Sequence, residues 1–411
     1  MSAVSLRHGW TAVALTGVLA LGLAACGGDD SGSDASGTIR IGSSLPLTGE
    51  FSQPGQAADQ GYKVWQEMVN ADGGILGRDV ELVVKDDASN QNTIVADYNA
   101  LISQDKVDLL LGTFSSLLNL PASAVAEKNQ MLYVEPAGGS PEMFSRDFKY
   151  LFFAQQATAD KQGKVFADYI AGLPEDQRPK TAAYPTIDDP FAAPNVEGIR
   201  NILEAAGVET VYQETYAIDT KNFDTIVTAM KAADPDMVIH GAVFEDGVGL
   251  TRAMLKADFT PDWFYETSAP SLGAQYSDAI GMENTEGVLF AISHAPTADT
   301  PGNAEFVAKY KEMFDGNEPP EDAADAFAAG QVLQAAAEAV GSIDDQQAMA
   351  DWLRANTVST ILGDLEWNDD GSPIGEFLIG QWQSGQVQFV LPQEFATTDE
   401  FIQGWKPGSA G

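Results

Sequence analysis

Cysteine is almost missing: there is one, Cys26, in 411 residues, together with only three histidines. A disulfide needs two cysteines, and a Cys/His zinc site needs more ligands than this chain can group, so both are excluded and Cys26 must act alone. Basic residues are also scarce. The 22 Lys and Arg stand against 60 Asp and Glu, a formal net charge of -38. Nucleic acid and anionic lipid both select clustered Lys and Arg, so neither is expected as a partner. The acidic excess is spread along the chain, as on a solvated surface, and says little about a ligand. After the first 25 residues no apolar run is long enough to span a bilayer. No Gly-x-Ser-x-Gly elbow, Walker A loop or His-Glu-x-x-His motif is present.

What is there begins with Arg7 and His8, then an apolar span from Trp10 to Ala25 that ends in small residues. That is the layout of a secretory signal. Leu23-Ala24-Ala25-Cys26 resembles the bacterial lipobox, which implies cleavage before Cys26 and its acylation. The "GGDDSGSDASG" that follows holds no apolar residue larger than alanine and is expected to be a flexible tether. The expected organisation is therefore a signal peptide over 1–25 and a tether over 26–37.

From Thr38 onward, short β-prone runs alternate with helical patterns. "TIRIGSS", "VELVVKD", "VDLLLGT" and "MLYVEPA" form a first series; "KTAAYPT", "VETVYQETY", "DMVIHGA" and "DWFYET" form a second. Such alternation predicts an α/β fold of two doubly wound, parallel-sheet lobes. "GVLFAISH" onward adds three helical patterns, near 304–313, 323–340 and 346–355, and the final "LEWNDDGSPIGEFLIGQWQSGQVQFVL" reads as antiparallel strands. Within it, Asn368, Asp370 and Gly371 imitate calcium-loop spacings. Phe377 occupies the place of the bidentate glutamate, so a hairpin turn is expected and no metal. His240 and His294 are read as structural residues on strands. Ligands of open α/β sheets bind beyond the carboxyl ends of the strands, so the strand-end loops are the candidate site.

"PLTG" at 46–49, "VNADGGILGRDVELVVKDD" at 69–87, "GTFSSLLNLPAS", "NFDTIVTAMKAADPDMVI" and "GMENTEGVLF" occur together and in order. Together they resemble the type I periplasmic solute-binding proteins of ABC importers, in the branched-chain amino acid receptor family. The resemblance implies three crossings between lobes, with lobe 1 over 38–153 and 288–361, lobe 2 over 154–287 and 362–400, and a C-terminal tail over 401–411. It also implies ligand-binding positions. Ser116, with Ser115 beside it and Phe114 before, falls where the family serine holds a ligand carboxylate at a helix N-terminus, although either serine could serve only as a helix cap. Gly139, flanked by Gly138 and Ser140, stands where the family often has threonine, which leaves strict branched-chain specificity open. Phe191, and Val243 or Phe244, replace aromatics that carry hydroxyls. Glu266 or Thr267 falls at the ammonium-binding carboxylate.

These correspondences imply a lipid-anchored, extracytoplasmic, monomeric binding protein with no catalytic residues and no cofactor. It would capture a small amino-acid-like solute in an interlobe cleft and deliver it to an ABC permease. The aromatics Phe114, Phe191, Phe244 and Tyr265 favour a sizeable apolar or aromatic part on the solute. An amide, urea-type or aromatic acid ligand, or a ligand-sensing regulator on the same fold, is the alternative.

Overall fold

The computed structural model describes residues 37–409, so the signal segment and Cys26, with the tether up to Ser36, lie outside the described residues. The first sheet has five strands: β1 (Ile39–Leu45), β2 (Val80–Asp86), β3 (Leu109–Leu111), β4 (Tyr133–Glu135) and β5 (Leu151–Phe153). They are all parallel, in the order β2-β1-β3-β4-β5. The second sheet repeats this winding with β6 (Thr181–Ile187), β7 (Glu209–Tyr216), β8 (Met237–His240), β9 (Trp263–Glu266) and β10 (Leu289–Ile292), in the order β7-β6-β8-β9-β10. A short hairpin, β11 (Val358–Thr360) and β12 (Gly363–Leu365), precedes β13 (Leu378–Gln383) and β14 (Gln386–Leu391). These last two extend the second sheet beyond β10 as an antiparallel pair.

After β10 the chain returns to the first sheet. Helices Asn303–Met313, Glu321–Val340 and Gln346–Ala355 share one buried apolar cluster with β1, β3, β4 and the Ser52–Ala71 helix. Helices Ser52–Ala71 and Glu321–Val340 approach closely because each offers a glycine: a Cβ on Gly61 would lie 2.0 Å from the Ala323 carbonyl oxygen, and one on Gly330 2.4 Å from the Trp65 ring. This contact fixes the start of the Glu321–Val340 helix against the first sheet.

Four expectations need adjustment. The segment expected to open the second part of lobe 1 at 288 begins inside the second sheet, because β10 pairs with β9 and β13. The last crossing lies further on than 361–365, since Leu365 and Trp367 belong to the cluster on the first sheet and Phe377 to a cluster on the second. His240 is on β8, but His294 stands two residues beyond β10. The described part of the expected tail, 401–409, is packed rather than free: the Trp405 ring lies 5.0 Å from that of Phe264, tilted by 46°, and donates its indole N–H to the Asn284 carbonyl at 2.7 Å. Around Asn368–Gly371 the chain makes the expected turn, with Trp367 and Pro373 bridged antiparallel.

Candidate ligand-binding cleft

A cavity lies where the carboxyl ends of the two sheets face each other. The first half contributes Phe114, Ser115, Ala137 and Gly138 from the loops after β3 and β4, and Glu321, Asp322 and Asp325 from the helix that begins there. The second contributes Phe191, Thr267, Ser268, Ser271 and Ala291. Gln155, Gln162 and Phe377 stand at or just beyond the crossings. No Lys or Arg is among the lining residues.

Of the positions singled out in the sequence, Phe114, Ser115, Gly138, Phe191 and Thr267 line this cavity. Ser115 immediately precedes the Ser116–Lys128 helix with φ 75° and ψ 157°, a backbone region that costs a non-glycine residue energy and persists only where the surroundings hold it. Its hydroxyl is buried without a partner, at 1 % residue exposure. Gly138 makes that geometry possible: a Cβ there would lie 2.6 Å from the Ser116 nitrogen. Thr267 faces the cavity but spends its hydroxyl on the backbone, donating to the Ala242 carbonyl at 2.6 Å and accepting the Ala242 N–H at 2.8 Å. Phe191 is held by Asp189, whose carboxylate accepts the Phe191 and Ala192 N–H groups at 2.8 and 3.2 Å.

Ser116, Gly139 and Ser140 stand behind the lining and tie the two loops of the first half together. Ser116 Oγ accepts the Ser140 N–H at 3.0 Å, and Ser140 Oγ accepts the Glu142 N–H at 3.4 Å. Gly139 leaves no extra room for a ligand. A Cβ there would lie 2.2 Å from the Phe153 ring, so the small residue accommodates that ring instead. Phe244 begins the Phe244–Lys256 helix and is buried in the apolar cluster, and Tyr265 stacks on Phe166 at 4.9 Å; neither lines the cavity.

Glu266 is turned away from the cavity into a fully buried polar chain. Its Oε1 meets His240 Nδ1 at 2.8 Å, His240 Nε2 meets Tyr216 Oη at 2.7 Å, and Tyr216 Oη donates to Asp246 Oδ2 at 2.5 Å. Burial pushes the Asp246 carboxyl up to about 6, against the opposing effect of the His240 charge. Glu266 therefore already has a partner within its own half.

The carboxylates that do line the cavity come from the Glu321–Val340 helix. The Ser293 hydroxyl lies 2.8 Å from Glu321 Oε1 and 2.6 Å from Asp325 Oδ1. The Ser293 N–H also donates to Glu321. Gln155 Nε2 donates to Asp325 Oδ2 at 2.5 Å and to the Pro136 carbonyl at 2.9 Å. Asp322 Oδ2 is buried with no partner. Burial pushes all three carboxyls above the ordinary range, and their mutual repulsion adds to this for Asp322 and Asp325. In the sequence this cluster looks like the acidic first turn of any helix. The signal for more was its place in an alanine-rich helix with apolar residues on every side, where no solvated face was available to Asp322 and Asp325.

The match to a family model covers residues 38–386, described as periplasmic binding protein. The chain belongs to the periplasmic binding protein family. This family and its members are substrate-binding proteins rather than enzymes, which accords with a cleft built from two halves. An amino acid binding protein of Pseudomonas aeruginosa is 27 % identical over 393 residues, covering 95 % of this chain and 100 % of the relative. The fold matches two periplasmic binding protein structures in particular. The branched-chain amino acid transporter substrate-binding protein of Streptococcus pneumoniae, in complex with isoleucine, superposes with a TM-score of 0.75 at 20 % identity, covering 85 % of this chain and 98 % of that one. An ABC transporter solute-binding protein of R. palustris, in complex with benzoate, gives 0.77 at 19 % identity, covering 89 % and 99 %. Both share the type I fold.

Proposed function

We propose that this periplasmic binding protein is an extracytoplasmic, monomeric lipoprotein that captures a small amino-acid-like solute between two lobes and delivers it to an ABC importer. The observation that carries the reading is the cavity lined from both halves, at the carboxyl ends of both sheets. In this reading one lobe comprises 38–153 and about 293–367 and the second the remaining described residues, with three crossings as the hinge. Closing on the solute excludes water and strengthens the few polar contacts. The closed arrangement is what a permease distinguishes from the open one. Cys26 anchors the protein through acyl chains, each buried methylene contributing about 0.8 kcal/mol.

The amino acid binding relative supports an amino-acid-like solute, while Phe114, Phe191 and Phe377 in the lining favour one with a substantial apolar body. The benzoate-binding neighbour keeps an aromatic acid as the second reading. Mass spectrometry of solute released from denatured, freshly purified protein tests this directly. A single small organic compound that rebinds and raises the Tm in proportion to its concentration is expected. No co-purifying solute, and no change in Tm across amino acids and aromatic acids, would contradict the proposal.

A further inference from the structure

We propose that the carboxylates at the start of the Glu321–Val340 helix form a cation subsite in which Asp322 receives a protonated amine of the solute. The proposal rests on the reading of the cavity as the solute-binding cleft and names the class of solute: an organic amine with an apolar body, whether or not it also carries a carboxylate.

Four observations converge. Three carboxyl groups line one wall, with no Lys or Arg among the lining residues to neutralise them. Asp322 is 7 % exposed and its Oδ2 has no partner, whereas Asp325 is engaged by Gln155 and Ser293. A buried, unpaired carboxylate is costly, and an incoming ammonium removes that cost. Ser293 has a single hydroxyl proton but lies within hydrogen-bond distance of both Glu321 and Asp325, so it cannot fully satisfy the two carboxyls at once. The wall is thus short of hydrogen-bond donors, which an ammonium supplies. Separately, the Ser115 hydroxyl, also buried and unpartnered, lines the same cavity as an available polar contact for the solute.

The rest of the lining selects the kind of cation. Phe114, Phe191 and Phe377 offer ring faces and apolar area, which suit an alkyl- or arylammonium. Among the described residues no three His, Cys, Asp or Glu side chains are grouped so as to hold a metal. Glu266, the carboxylate that the family pattern would assign to an ammonium, holds His240 with its Oε1, and its unpartnered Oε2 is buried off the cavity lining. The structure moves that task to the other half of the molecule.

The test is calorimetric binding of six probes to ligand-stripped protein: leucine, 3-methylbutylamine and 4-methylpentanoate, then phenylalanine, phenethylamine and 3-phenylpropanoate. Within at least one triad the amine-bearing compounds are expected to bind and the acid lacking the amine to bind far more weakly. Asp322→Asn should weaken the amine by about 10- to 100-fold, the loss of one charge-assisted contact. The same variant should raise the Tm of the unliganded protein, which separates lost binding from lost folding. Acids that bind without an amine, unaffected by Asp322→Asn, would overturn the cation subsite while leaving the cleft reading intact. Absence of binding by all six would also overturn it. The cleft reading would then stand or fall on whether a co-purifying solute is lost from Phe191→Ala.

Discussion

Lys221 Nζ lies 2.5 Å from Glu50 Oε2, an ion pair that joins the loop after β1 in the first half to the segment after β7 in the second. The two residues also line a second cavity, beside Phe51 and Phe223. They are the exposed end of a contact that continues inward as one apolar cluster, including Phe51 and Phe114 from one half and Phe191 and Val243 from the other.

Both partners are largely solvated, so the pair contributes at most about 1 kcal/mol and is screened by salt. Lys221→Ala should leave Tm within about a degree or two of wild type, yet weaken solute binding up to about fivefold at low salt, because the proposed opening of the lobes would break the contact. The difference should shrink as salt rises toward 1 M, read by calorimetry. A salt-independent loss would show that the pair does not act as a latch.

Asp189 positions Phe191, and burial pushes its carboxyl up to about 6. An unfolded aspartate gives up its proton near 4, so between about pH 4 and 6 the native state holds more protons and stability falls as pH rises. Above that window the whole cost stands. Asp189→Asn keeps an acceptor for the Phe191 N–H and removes the ionisation. Wild type should therefore gain on the variant, by up to roughly 3 kcal/mol, as pH is lowered from 7 to 4 in denaturant titrations. Wild type losing ground over that range would contradict the assignment.

Cys26 closes the lipobox-like stretch Leu23–Cys26 and is the only cysteine in the chain, so labelling there would be unambiguous. Cys26→Ser should fold and bind solute as wild type does, but take up no labelled palmitate in cells and no longer partition into detergent. Equal labelling of variant and wild type would exclude the anchor.

The repeated winding of the two sheets was legible because short apolar runs at regular spacing leave few topologies open. The family resemblance pointed to Phe114, Ser115, Gly138, Phe191 and Thr267, and the strand-end loops that carry them converge on the cavity. Side-chain direction did not follow. Glu266 and Thr267 are adjacent on an extended segment and face opposite ways, so a choice between them needed the position of His240, a strand away. Gly139 bore only on specificity in the sequence because Phe153, whose ring it accommodates, is brought beside it only by the packing of the loop after β4. The Asp322 wall was hidden for a third reason: its helix returns from β10 to the first sheet, and only the Gly61 and Gly330 contacts bring its first turn to the cleft. Acidic residues at a helix start have an ordinary electrostatic explanation, and composition alone cannot separate that from a binding wall.

The central claim is that solute is held between two lobes that close on it. Small-angle X-ray scattering of ligand-stripped protein, before and after saturation with its co-purified solute, measures that closure most directly. The radius of gyration should fall on saturation. Superimposable profiles in the two states, at a solute concentration that demonstrably raises Tm, would contradict closure and with it the interlobe cleft as the site of capture.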